Sequence, residues 1–129
     1  MNGVTLTYAN LRGVRFDNVN LQGVNLNGVD LTNADLRNFN FRSVSLNGVN
    51  LSRVNLNGYN LRGVELKNAN LSYADLQNAD LSNARLNGTD LQNANLYNAN
   101  LQSADLIGSK LNSANLQNAD LRGANSGCG

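Results

Sequence analysis

A leucine or phenylalanine stands at every fifth position from Leu6 to Leu121 without a break, Phe16 and Phe41 being the two phenylalanines, and Met1 shares the phase. A period of five fits neither the 3.6 of a helix nor the two of a long strand. Two residues before each of these lies a second inward column: Val4, Ala9, Val14, Val19, Val24, Val29 and onward, mostly Ala after residue 65. Phe39, Tyr59, Thr89 and Ser109 are its other members. Two inward residues spaced two apart lie on one face of a short strand, so each unit reads as a short extended side followed by a corner.

The corner has its own signature. The position two after the central residue is Gly or Asn in 19 of 25 units, as at Gly13, Gly23, Asn33, Asn38 and Gly48. These residues best tolerate the positive φ that a tight type II turn demands. Asn or Asp also fills 19 of the 25 positions just before the central residue, where stacked polar side chains bond backbone or one another.

The charges indicate how many sides close a coil. Residues one coil apart stack at about 4.8 Å, a distance that like charges avoid. In the column before the central residue, a separation of 20 pairs Arg15 with Asp35, Glu65 with Arg85, Arg85 with Asp105 and Asp90 with Lys110, all opposite in sign. A separation of 15 stacks Asp75 on Asp90 and Asp90 on Asp105, and 10 stacks Glu65 on Asp75. Phe39 and Tyr59 are also 20 apart, as are Thr89 and Ser109, so bulky meets bulky and hydroxyl meets hydroxyl. Four units therefore make one coil, and about six coils give a rod on the order of 30 Å long.

These residues resemble the pentapeptide-repeat family, whose pattern of Ala, Asp or Asn, Leu and two variable residues stands here as Ala69-Asn70-Leu71-Ser72-Tyr73, Ala79-Asp80-Leu81-Ser82-Asn83 and Ala119-Asp120-Leu121-Arg122-Gly123. The resemblance covers residues 1–125 and implies an all-β fold, a right-handed quadrilateral β-helix; residues 126–129, outside the repeat, are expected to form a disordered tail. Its best-understood branch mimics DNA and acts on type II topoisomerases such as gyrase. Mimicry needs an acidic rod, whereas this chain has a net charge of +1.

Catalysis finds few tools. Histidine is absent, the one thiol is Cys128 in the tail, and the carboxylates stand singly among Asn. Asp75, Asp80, Asp90, Asp105 and Asp120 have no second carboxylate one coil away in the same column, so they read as substitutes for Asn rather than as acid–base or metal ligands. A non-enzymatic chain without cofactor or metal is expected. No basic start with an apolar core and no long apolar run is present, which predicts a cytoplasmic protein with no membrane partner.

What is left is surface. Among outward residues following the central position, Arg42 and Arg62 form the like-charged stack, with Gln22 and Ser82 extending the row and Arg37, Arg53 and Lys67 nearby in sequence. They are the candidate contact for an anion or a partner, while the lack of interleaved aromatics disfavours nucleic acid. Tyr8, Tyr73, Tyr97 and Ile107 are the expected exposed apolar residues, scattered over the walls. Residues 1–67 carry seven basic and four acidic side chains, and residues 68–129 three and five, so the rod has an electrical direction. The expected function is a protein-interaction or structural module of unknown partner, able to self-associate through exposed coil ends.

Overall fold

A computed structural model describes residues 6–16, 21, 25–27, 29–32, 34–36, 39–41 and 44–127. The five-residue unit folds the same way along them. The carbonyl of the central residue accepts the N–H three residues on, as in Leu56 with Tyr59 (3.1 Å) and Leu71 with Ala74 (3.1 Å). The residue two after the centre has positive φ, 58° at Asn78 and 74° at Gly58. This left-handed site explains the Gly and Asn in that column. Arg53, Tyr73, Ser103 and Ser113 also occupy it, against a steric cost of roughly 1–2 kcal/mol for a residue with a Cβ.

The Asn or Asp before the centre braces the same corner. Its Oδ1 accepts the N–H two residues on, as in Asn70 with Ser72 (2.9 Å), Asp90 with Gln92 (3.0 Å) and Asn100 with Gln102 (3.1 Å). The corner is therefore specified on both sides of the leucine, by a side-chain acceptor before it and a left-handed residue after it.

Each β-bridge joins residues 20 apart in parallel, which puts four five-residue sides in one coil. The first wall runs through Asp30, Asn50, Asn70 and Asp90, and the second through Arg15 and Asp35, then Asn55, Asp75 and Asn95. The third runs through Asn60, Asp80, Asn100 and Asp120, and the fourth through Asn25 and Ser45, then Glu65, Arg85, Asp105 and Asn125. Two backbone bonds make each rung, for example Leu71 N–H to the Asp90 carbonyl (2.8 Å) and Asp90 N–H to the Ala69 carbonyl (2.9 Å). The four opposite-charge pairs expected from the sequence are all stacked bridge partners. Arg15 lies 3.8 Å from Asp35 and Arg85 3.5 Å from Glu65, exposed pairs that contribute at most about 1 kcal/mol each.

Leucines from Leu46 to Leu101 fill the interior with exposures of 0–1%. Burying each one contributes about 1.5–3 kcal/mol, which offsets the conformational entropy lost on ordering the chain. Thr89 is fully buried, and its hydroxyl donates to the Leu66 carbonyl (2.7 Å), while the Ser109 hydroxyl donates to the Leu106 carbonyl (2.8 Å). Each hydroxyl thus satisfies itself on a backbone carbonyl rather than on the other hydroxyl.

The unbroken repeat in the sequence does not give an unbroken ladder. Among the described residues, no bridge or backbone bond joins Asp35 to Asn55, Asn40 to Asn60 or Ser45 to Glu65, although the next coil makes all three equivalents at Asn55–Asp75, Asn60–Asp80 and Glu65–Arg85. The second, third and fourth walls are therefore parted at one level. The first wall stays joined there, through the Asp30–Asn50 bridge, and so does the adjoining corner, where Gly48 N–H meets the Lys67 carbonyl at 2.8 Å.

The inward residues at this level are the largest in the chain. Phe39 and Phe41 pack edge to face with centroids 4.7 Å apart, Phe16 joins Phe39 at 5.7 Å, and Tyr59 joins Phe41 at 5.9 Å. Phe39 and Tyr59 stand where other coils place Val or Ala. Their centroid separations lie within the 4.5–7 Å that such edge-to-face pairs prefer.

At the far end, Ser126 and Gly127 are exposed, and Gly127 N–H bonds Asn125 Oδ1 (3.1 Å) as at other corners braced by Asn or Asp. Cys128 and Gly129 lie outside the described residues. Leu111 and Leu116 are half-buried and Leu121 is 40% exposed, because nothing among the described residues covers the outer side of that coil.

Candidate interaction surface

Arg62 follows Leu61 on the third wall and is exposed, its backbone N–H held by Asn60 Oδ1 at 3.2 Å. Arg42, its expected neighbour, lies outside the described residues, as do Arg37 and Gln22. Among the described residues no carboxylate comes within ion-pair distance of the Arg62 guanidinium. Its charge still reaches the wall. Hydrogen bonds from the Ser82 side chain and backbone, aided by Arg62, hold the Asp80 carboxyl below its ordinary range.

The row continues from Arg62 through Ser82 and Gln102 to Arg122, each one coil further on. Arg122 folds back on Asp120, with Nε at 2.9 Å from Oδ1 and Nη2 at 2.5 Å from Oδ2, and Gln102 Nε2 donates to the same Oδ2 at 2.7 Å. These bonds, led by the Arg122 side chain, depress the Asp120 carboxyl. Arg122 stands outside the like-charged stack expected from the sequence because two neutral residues, Ser82 and Gln102, separate it from Arg62. Its signal was available in the spacing, since 62 and 122 differ by three coils of 20.

Arg53 and Lys67 lie on other corners and do not join this row. The Arg53 guanidinium covers the Tyr73 ring at 4.6 Å, one coil on. The Lys67 backbone N–H donates to Asn47 Oδ1 (3.0 Å). Tyr8, Tyr73, Tyr97 and Ile107 are exposed, as expected, and Val14 and Leu121 join them.

The five aspartates each brace a corner as Asn does. Asp75, Asp80, Asp90, Asp105 and Asp120 accept the N–H two residues on at 3.0–3.2 Å. Among the described residues no three of His, Cys, Asp and Glu gather as a metal site. Beside Arg62, the parted walls leave a cleft of about 1000 Å³ lined by Phe39, Phe41, Tyr59, Arg62 and Glu65.

These elements define a class of protein: a parallel β-solenoid in which the centre and corner of a five-residue unit are prescribed and the outward residues carry the individuality. The family model for the pentapeptide repeat region matches residues 1–71, and that for pentapeptide repeats (8 copies) matches residues 89–125. The chain belongs to the pentapeptide-repeat family, whose solved members are right-handed quadrilateral β-helices.

Among solved structures, it is similar to HetL, a pentapeptide repeat protein involved in heterocyst differentiation regulation from the cyanobacterium Nostoc sp. strain PCC 7120, with 33% identity and a TM-score of 0.63 over 96% of this chain. This chain spans 60% of HetL. A second Nostoc pentapeptide repeat protein is 51% identical over 58% of this chain and 62% of its own, with a TM-score of 0.58. One from the Arabidopsis thaliana thylakoid lumen is 27% identical over 89% of this chain and 66% of its own, with a TM-score of 0.60. No curated protein sequence matches the chain.

Proposed function

We propose that this chain is a non-enzymatic interaction module, a rod of about six coils of four repeats that presents its third wall to a protein partner. The observation that supports this reading is the outward row Arg62, Ser82, Gln102 and Arg122 beside the Asn and Asp column. It leaves two guanidinium groups on one wall, with Ser82 buried and Gln102 bonded to Asp120 between them, and among the described residues no carboxylate pairs with Arg62. An acidic protein surface is the partner chemistry such a row fits, since a planar guanidinium pairs with carboxylates bidentately. The regulatory role named for HetL is compatible with binding of this kind.

The test is affinity capture with the intact chain and an Arg62→Ser/Arg122→Ser variant, followed by measurement of the captured complex at increasing salt. The expected result is a partner lost from the variant and released by salt. A partner retained equally by both proteins would remove the third wall from the interaction.

A second reading, self-association, is favoured by the exposed apolar edge at Leu111, Leu116 and Leu121 together with the opposite charge bias of the two halves. Sedimentation velocity over a wide concentration range tests it. A mass that stays that of one chain would rule it out.

A further inference from the structure

We infer that the Asn87-Gly88 corner is a modification site, a latent point of spontaneous deamidation that the following coil holds in check. The chain has five Asn-Gly dipeptides, and those at Asn47-Gly48, Asn57-Gly58 and Asn87-Gly88 lie wholly within the described residues. In each the glycine takes the left-handed corner, with φ of 71°, 74° and 71°. Glycine has no Cβ to shield its backbone nitrogen, so in this dipeptide the nitrogen most readily reaches the side-chain amide before it. The nitrogen bonds to the asparagine Cγ and gives its proton to water, and Nδ2 leaves as ammonia. Water then opens the five-membered imide to aspartate or isoaspartate.

Stacking opposes the first step. The Gly48, Gly58 and Gly88 N–H groups donate to the carbonyls of Lys67, Gln77 and Ile107 in the next coil, each at 2.8 Å. Attack needs that bond broken and the asparagine side chain turned onto the freed nitrogen. At two of the corners a second tie holds the side chain: Asn47 Oδ1 accepts the Lys67 N–H (3.0 Å), and Asn57 Oδ1 accepts from Asn78 Nδ2 (3.4 Å). Asn87 Oδ1 is buried with no partner, because the Ile107 N–H that would match that of Lys67 goes to Asp105 Oδ1 (3.2 Å). The covering coils differ too. Those over Gly48 and Gly58 hold leucines from Leu66 to Leu96 that are 0–1% exposed, whereas the coil over Gly88 has half-buried Leu111 and Leu116 and an exposed Leu121. The less packed coil opens more readily. Neither product fits the closed corner. Aspartate puts a charge where Oδ1 now has no donor, and isoaspartate adds a backbone atom that throws the Gly88 N–H out of line with the Ile107 carbonyl. The conversion is a one-way record of coil opening, written without an enzyme.

Peptide mapping by mass spectrometry of the full chain, aged at mildly alkaline pH with and without denaturant, reads each site. In denaturant Asn47, Asn57 and Asn87 should convert at like rates. In the folded chain Asn47 and Asn57 should slow roughly 100-fold or more, while Asn87 stays about tenfold or more ahead of them. Leu111→Ala loosens the covering coil and should quicken Asn87 alone, and Leu121→Ala, at a more exposed place in that coil, serves as the milder second variant. Asn87→Gln, whose longer side chain cannot close the five-membered ring, should remove the first product to form. Asn87 converting no faster than Asn47 and Asn57 in the folded chain would overturn the inference, and so would an Asn87 rate that neither leucine change raises.

Discussion

Asn100 donates from Nδ2 to Asp80 Oδ1 at 3.2 Å across one coil, and the same oxygen accepts the Ser82 N–H at 3.0 Å within its own corner. One carboxylate oxygen therefore ties two successive coils of the third wall together.

The pH dependence of stability follows from this. Asp80 is held below its ordinary value of 3.8 chiefly by Ser82, and Asp30 likewise by Thr32. A carboxyl whose folded value is depressed stabilises the fold above its unfolded value and loses that contribution as pH falls through the folded one. Thermal stability should therefore drop between about pH 4 and pH 2. Asp80→Asn, which keeps the Oδ1 acceptor, should leave the midpoint at pH 7 nearly unchanged and make the acid drop shallower. Circular dichroism melts over that range measure both.

Glycine corners should differ according to what lies beyond them. A Cβ at Gly58 meets nothing within 4 Å, so Gly58→Ala should cost only the left-handed backbone, roughly 1 kcal/mol. A Cβ at Gly88 would run into Asn68 Oδ1. Gly88→Ala should therefore cost more than Gly58→Ala, and Asn68→Ala should erase the difference. Denaturant titration of the three variants gives the comparison.

Depth along the rod should set the cost of losing a leucine. Leu76 is fully buried between coils, while Leu121 is 40% exposed. Leu76→Ala should cost about 2–5 kcal/mol and Leu121→Ala under about 1 kcal/mol. Since each coil contacts only its neighbours, the first change should also split the melt into two steps, visible by hydrogen exchange.

The fold was legible because its instructions are local. The left-handed corner selects Gly or Asn, the bracing oxygen selects Asn or Asp, and the stacked pairs Arg15–Asp35 and Glu65–Arg85 reveal the coil length. The parted walls were hidden because Phe39, Phe41 and Tyr59 obey the polarity of their columns and violate only their size. Their nearness in sequence, in a chain of three Phe and four Tyr, was the available sign. Of the two arginines marked as a contact, Arg62 lies on the third wall and Arg42 lies outside the described residues; Arg122, not marked, joins the row by spacing.

The 20-residue return has a consequence for how such a chain changes over generations. Deleting five residues leaves every later leucine pointing inward and every corner intact, so folding survives. The deletion nevertheless turns all that follows by a quarter revolution, and a cut between Arg62 and Arg122 would send them to different sides of the rod. The scaffold thus reads length in fives, whereas anything that recognises its exterior reads it in twenties.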